Sequence, residues 1–151
     1  MGQTNQLTLQ DRWAIYETSV VLAWADGRLS AEEVQAARVV AEELSLNGPF
    51  SLAGATLRLM PTDIPDVPEE IADLAYATAV WMAYADGLHR RESIFLARLQ
   101  RRLGIDSQTA AQTMRHVRQL HERHSRRDSL RALHAQTRLP VSVTRPQRPS
   151  L

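Results

Sequence analysis

Residues 16–33 read Tyr-Glu-Thr-Ser-Val-Val-Leu-Ala-Trp-Ala-Asp-Gly-Arg-Leu-Ser-Ala-Glu-Glu, and residues 76–92 read Tyr-Ala-Thr-Ala-Val-Trp-Met-Ala-Tyr-Ala-Asp-Gly-Leu-His-Arg-Arg-Glu. At an offset of 60, Tyr16, Thr18, Val20, Ala23, Ala25, Asp26 and Gly27 fall on Tyr76, Thr78, Val80, Ala83, Ala85, Asp86 and Gly87. A slip of one residue after the glycine then places Glu33 on Glu92, Val40 on Leu99 and Leu44 on Leu103. Two copies of one unit in a chain of 151 residues predict an all-α bundle of about six or seven helices. The copies form two pseudo-symmetric repeats, each covering the other's apolar face.

Working outward, the helical period predicts a first helix over about 9–25. Thr8 and Asp11 cap it, and Leu9, Trp13, Tyr16, Val20 and Ala23 point inward. Gly27 supplies the stop. Ser30-Ala31-Glu32-Glu33 has the form of a capping box and opens a helix over about 31–45, with Val34, Ala37, Ala41 and Leu44 inward. Asn47-Gly48-Pro49 breaks the chain, and Ser51 begins a short helix over about 52–60. Three prolines mark 61–68 as the connection between repeats. Pro68 with Glu69 and Glu70 then opens a helix to Ala85. Ile71, Leu74, Thr78, Trp81 and Ala85 form its inward face, with Trp81 buried between the repeats.

After Gly87, a helix over about 90–103 packs through Phe95, Leu96, Leu99 and Leu103 and ends at Gly104. Asp106 or Ser107 caps the next, about 108–124, with Ala110, Met114, Val117 and Leu120 inward. A weaker helix near 129–138 carries Leu130 and Leu133. The domain therefore spans 1–139, and 140–151, with three prolines and no apolar period, reads as a disordered basic tail.

The repeat core resembles the TerB-like family: an apolar, Ala-rich helix ending in Ala-Asp-Gly, a short connection, then an acidic helix start. That family includes tellurite-resistance TerB proteins and the N-terminal domain of the membrane-anchored co-chaperone DjlA. The likeness covers roughly residues 8–125. In the second copy Leu88-His89-Arg90-Arg91 replaces Arg28-Leu29-Ser30-Ala31-Glu32. The resemblance implies a bacterial, cytoplasmic, non-enzymatic domain that contacts a protein partner in stress, tellurite-resistance or envelope-associated assemblies. It also implies a divalent-cation site at the matching acids.

Composition narrows the chemistry. No run of 18 apolar residues is present, and the first residues lack the charged and apolar regions of a secretory signal. With no Cys, disulfides, thiol catalysis and Cys-ligated zinc are excluded, and a reducing cytosol is compatible. All 18 basic residues are Arg, which removes a phosphate-loop or Schiff-base lysine; the codon bias of a GC-rich genome accounts for this. The net charge of +1 conceals a polarity: residues 1–97 carry 6 Arg against 14 acids, and residues 98–151 carry 12 Arg against 3. Such asymmetry points to an anionic partner or to docking of one half on the other.

Three constellations are candidates for function. Asp26, Glu32 and Glu33, with Asp86 and Glu92, stand at facing helix ends, where carboxylates from two helices would share a divalent cation. The competing reading has the aspartates bonding loop amides and Glu33 closing a capping box. An EF-hand is excluded, because Arg28 falls where its second ligand belongs. His116, His121 and His124 lack the spacing of a zinc protease and read as a solvated Arg/His face.

Residues 99–120 have the outline of a helix-turn-helix. Arg101, Arg102, Arg115, Arg118, Arg123, Arg126 and Arg127 would then contact phosphates of nucleic acid. However, Leu103-Gly104-Ile105 also matches Leu44-Ser45-Leu46, which makes it a repeat junction. No nucleophile frame or Gly-rich phosphate loop occurs. The reading is an interaction domain and not an enzyme, with a nucleic-acid-binding module and a divalent-cation-binding protein as alternatives.

Overall fold

The first helix opens on a reciprocal pair. Thr8 Oγ1 accepts from the Asp11 amide at 2.9 Å, and the Asp11 carboxylate accepts from the Thr8 amide at 3.2 Å. The computed structural model of the chain describes residues 7–23, 30–46, 66–85, 87 and 90–144. Among these it is all-helical, with six α-helices and no strand. The helix expected over 52–60, the turn residues Asp26, Gly27 and Asp86, and residues 145–151 lie outside the described residues.

Helix α1 (Leu9–Ala23) is buried at Ala14–Tyr16 and again from Thr18 to Ala23. Its polar core residues are satisfied locally: Thr18 Oγ1 donates to the Ala14 carbonyl at 2.8 Å and Ser19 Oγ to that of Ile15 at 3.2 Å. Leu9, expected inward, is 55% exposed. At this end of the helix Leu7 and Trp13, on either side of it in the chain, pack against the core instead. Helix α2 (Ala31–Glu43) starts at the expected capping box and buries Glu33, Ala36, Ala37, Val40 and Ala41. Val34, expected inward, is only half-buried; the contacting stripe is rotated towards Ala36 and Val40.

Behind Pro68, a single 3-10 turn, Glu69–Ile71, leads into α3 (Ala72–Tyr84). Every residue from Leu74 to Ala83 is buried. The inward face expected for this helix understates it, because α3 has no outward face over that span. Alanines at 72, 75, 77, 79 and 83 let neighbours approach closely from several directions. Helix α1 lies along it, and α4 (Arg90–Leu103), α5 (Ser107–Arg123) and α6 (Arg126–Thr144) all pack on it. Its central position is the organising fact of the fold.

The repeat is visible in the geometry of both helix ends. At the end of α2, the Leu46 amide bonds the Ala41 carbonyl at 2.8 Å and the Ser45 amide bonds that of Glu42 at 3.0 Å. At the end of α4, Ile105 bonds Gln100 at 3.0 Å and Gly104 bonds Arg101 at 3.2 Å. Both are Schellman motifs, and they superpose at an offset of 59, the register reached after the one-residue slip. The left-handed position is Gly104 (φ +73) in one copy and Ser45 (φ 58) in the other. Because a side chain is strained there, Ser45→Gly is expected to raise stability by up to about 1 kcal/mol. Gly104→Ala is expected to lower it by about the same amount although its Cβ would meet nothing within 4 Å. Chemical denaturation of the two variants checks both signs.

Helices α5 and α6 form a C-terminal hairpin. Asp106 caps α5, its carboxylate accepting from the Thr109 amide at 2.7 Å. Helix α6 is longer than the weak segment expected at 129–138. It begins at Arg126, buries Leu130 and Leu133 completely, and continues through Pro140 to Thr144. The backbone therefore crosses the 139/140 boundary drawn for a disordered tail. A proline there forgoes one intrahelical N–H bond, which the remaining turns tolerate.

Candidate functional site

The two helix starts were the strongest site candidate, and the described part of them is structural. Ser30 Oγ accepts from the Glu33 amide at 3.1 Å, and Glu33 Oε1 accepts from the Ser30 amide at 2.9 Å. Glu33 is 2% exposed, so its carboxylate is spent on closing the first turn of α2. Glu92 holds the equivalent third position of α4 and is wholly buried. Glu32 faces solvent. Asp26 and Asp86 lie outside the described residues. Among those described, no three His, Asp or Glu side chains come together to hold a metal. A hard cation needs six or more oxygens; the described carboxylates are one committed to an amide at Glu33, one buried at Glu92 and one at the surface at Glu32.

The arginines separate into two groups. Arg101, Arg102, Arg115, Arg118 and Arg123 are exposed on α4 and α5. Arg126 and Arg127 instead dock α6 onto α2. Arg126 Nη1 donates to Gln35 at 3.2 Å, and Arg127 bridges Glu42 and Glu43, the latter at 3.1 Å. Arg131 completes the clamp with a bidentate pair to Glu43, at 2.9 and 3.1 Å. Hydrogen bonding to Arg131, with help from Arg127, holds the Glu43 carboxyl below its ordinary value despite its burial. Part of the charge polarity is therefore internal, the basic half seated on the acidic half. Helix α5 packs on α3 and α6 rather than chiefly on α4, unlike the paired helices of a helix-turn-helix.

A polar seam joins α3 to the C-terminal hairpin, and sequence reasoning missed it. Trp81 is fully buried, as expected, and its hydrogen-bond and stacking partners are on the hairpin. Its Nε1 donates to Ser129 Oγ at 2.8 Å, and Ser129 donates onward to the Arg126 carbonyl. The His121 ring stacks on the indole with centroids 5.4 Å apart. His121 Nε2 lies 3.1 Å from the Trp81 carbonyl, which only accepts, so that nitrogen carries the proton. Thr78 Oγ1 donates to the Leu74 carbonyl and therefore accepts from His134 Nε2 at 2.9 Å. His121 is thus not part of a solvated face; His124 is exposed and His116 half-buried. Ser129 and His134 stand four residues from Leu133 and Leu130, on one helical stripe, but a stripe position does not name Trp81 and Thr78 as their partners.

Burial pushes the His121 imidazole below its ordinary value; the bond to the Trp81 carbonyl opposes this and the nearby Arg126 charge adds to it. The unfolded chain then takes up a proton near pH 6.5 before the folded one does. Stability from neutral His121 is complete above that pH and is lost as pH falls through it. We expect the melting temperature to drop between pH 7.5 and 5.5, and His121→Gln to flatten that limb. The Glu43 contribution belongs to a separate window: it is present above the ordinary carboxylate value of 4.5 and lost below it.

Comparison with protein-family models, with curated proteins and with solved structures returns no match.

Proposed function

We propose that the chain is a TerB-like, non-catalytic interaction domain. It works in the cytoplasm by binding a protein partner in stress-response, tellurite-resistance or envelope-associated assemblies. The observation that carries this reading is the duplicated hairpin. Its two glutamates, Glu33 and Glu92, are buried at equivalent helix starts, and two Schellman ends stand in the same register. The Ala-rich helix with an acidic helix start after Ala-Asp-Gly is the pattern that resembles the family. The buried Thr78, Trp81, Ser129 and His134 side chains bond one another or the backbone across helices. Those groups are committed to scaffold.

A contact surface is offered by the outer side of α4, where Ile94 is 53% exposed with Arg98 and Arg101 exposed one and two turns on. Photo-crosslinking from this face in cells tests the reading. Wild type should trap a discrete protein, and Ile94→Asp should lose it at an unchanged melting temperature. Recovery of nucleic acid whose binding falls steeply with salt would favour the basic-module alternative. A melting rise specific to one divalent ion would favour the cation-binding alternative.

A further inference from the structure

Helix α4 buries Glu92, Phe95, Leu96 and Leu99 on its inner side. On the opposite side Ile94, Ala97, Arg98, Arg101 and Arg102 are exposed. With about 3.6 residues per turn, Ile94, Arg98 and Arg101 fall within about 60° of one another around the helix and span about 10 Å of its length. They form one stripe, apolar towards the start of the helix and cationic towards its end. No Asp or Glu interrupts the sequence between the buried Glu92 and Asp106.

The guanidinium groups of this stripe are not used within the fold. Among the described residues, neither Arg98 nor Arg101 makes a hydrogen bond or an ion pair. Arg102 approaches Asp66 at 3.9 Å, in a pair exposed on both sides. On α6 the opposite holds: Arg126, Arg127 and Arg131 are taken up by Gln35, Glu42 and Glu43 of α2. The intramolecular docking that neutralises part of the basic half therefore leaves α4 uncovered.

We propose that the stripe receives an acidic amphipathic helix of the partner protein, an inference that rests on the reading of α4 as the partner face. An aliphatic side chain of that helix lies against Ile94 and Ala97, and its Asp or Glu carboxylates pair with Arg98 and Arg101. The planar guanidinium fork matches a carboxylate through two parallel bonds. Phosphate oxygens would satisfy the same forks, but a phosphate backbone has nothing to lay against Ile94 and Ala97. A helix carries an aliphatic residue and acids on one face at the same three- and four-residue spacing. Exposed ion pairs contribute little singly, so the apolar contact and the carboxylates act together. A contact of this length is smaller than a standard interface, which makes the complex transient.

The probe is a labelled synthetic helix bearing a leucine and, one and two turns on, glutamates, titrated with the full chain by fluorescence anisotropy. Its glutamine counterpart and a single-stranded oligonucleotide of equal charge are the controls. The glutamate helix should bind with a Kd below about 100 μM and the glutamine helix about tenfold more weakly. The Arg98→Gln/Arg101→Gln variant should remove that difference at an unchanged melting temperature. Equal binding of the two helices, tighter binding of the oligonucleotide, or an unaffected double variant would overturn the proposal. Sequencing the segment crosslinked to α4 in cells separates this inference from the reading beneath it. A partner segment rich in Asp and Glu supports both. A partner protein trapped through a segment without acids keeps the reading and removes this proposal, and a second copy of this chain, or no protein at all, removes both.

Discussion

Trp81→Ala lowers the unfolding free energy by about 3–5 kcal/mol, the range for removing a buried large aromatic. The indole is wholly buried and cannot be replaced by water-filled space without leaving Ser129 Oγ short of a donor. His121 also loses the ring it stacks on. Trp81→Phe separates these effects: it keeps an aromatic ring and removes the N–H, so it costs about 1–2 kcal/mol. Urea unfolding followed by circular dichroism measures both. A near-neutral Trp81→Ala would mean that the hairpin does not seat on α3 as described.

The second large effect lies on α6. Leu130→Ala and Leu133→Ala are each expected to cost about 2–5 kcal/mol, because both side chains are fully buried. Gln136→Ala on the same helix, at an exposed position, stays within about 0.5 kcal/mol. The two leucines lie one turn apart, so the double variant will not show the simple sum. Costs below 1 kcal/mol at both positions would return α6 to the minor, peripheral role its sequence suggests. The clamp through Arg127 and Arg131 would not compensate for that loss. Both arginines are at or near the surface, where such pairs contribute little.

What the sequence determined by itself is the set of local decisions. Thr8-Asp11, Ser30-Glu33 and Asp106 start helices where they stand, because a side-chain oxygen three residues from an unpaired amide needs no distant partner. Gly104 ends one helix for an equally local reason, and the one-residue slip between the copies reappears as two Schellman ends 59 residues apart. The all-helical class followed from these signals and from the repeat.

Tertiary structure decided the rest. Only docking encloses α3 on every side from Leu74 to Ala83, since an Ala-rich helix has no stripe from which to count its neighbours. Leu9 has the right period, yet Leu7 and Trp13 are the residues that pack on the core at that end of α1, and exposure depends on where the partner helices begin. Trp81 turns to the hairpin because Ser129 and His121 are placed there, 48 and 40 residues away. Arg126 and Arg127 look like phosphate contacts in a one-dimensional charge count and become intramolecular ties once α2 brings Gln35, Glu42 and Glu43 against them. Periodicity reports which residues want partners; the chain's path in space alone determines which partners they meet.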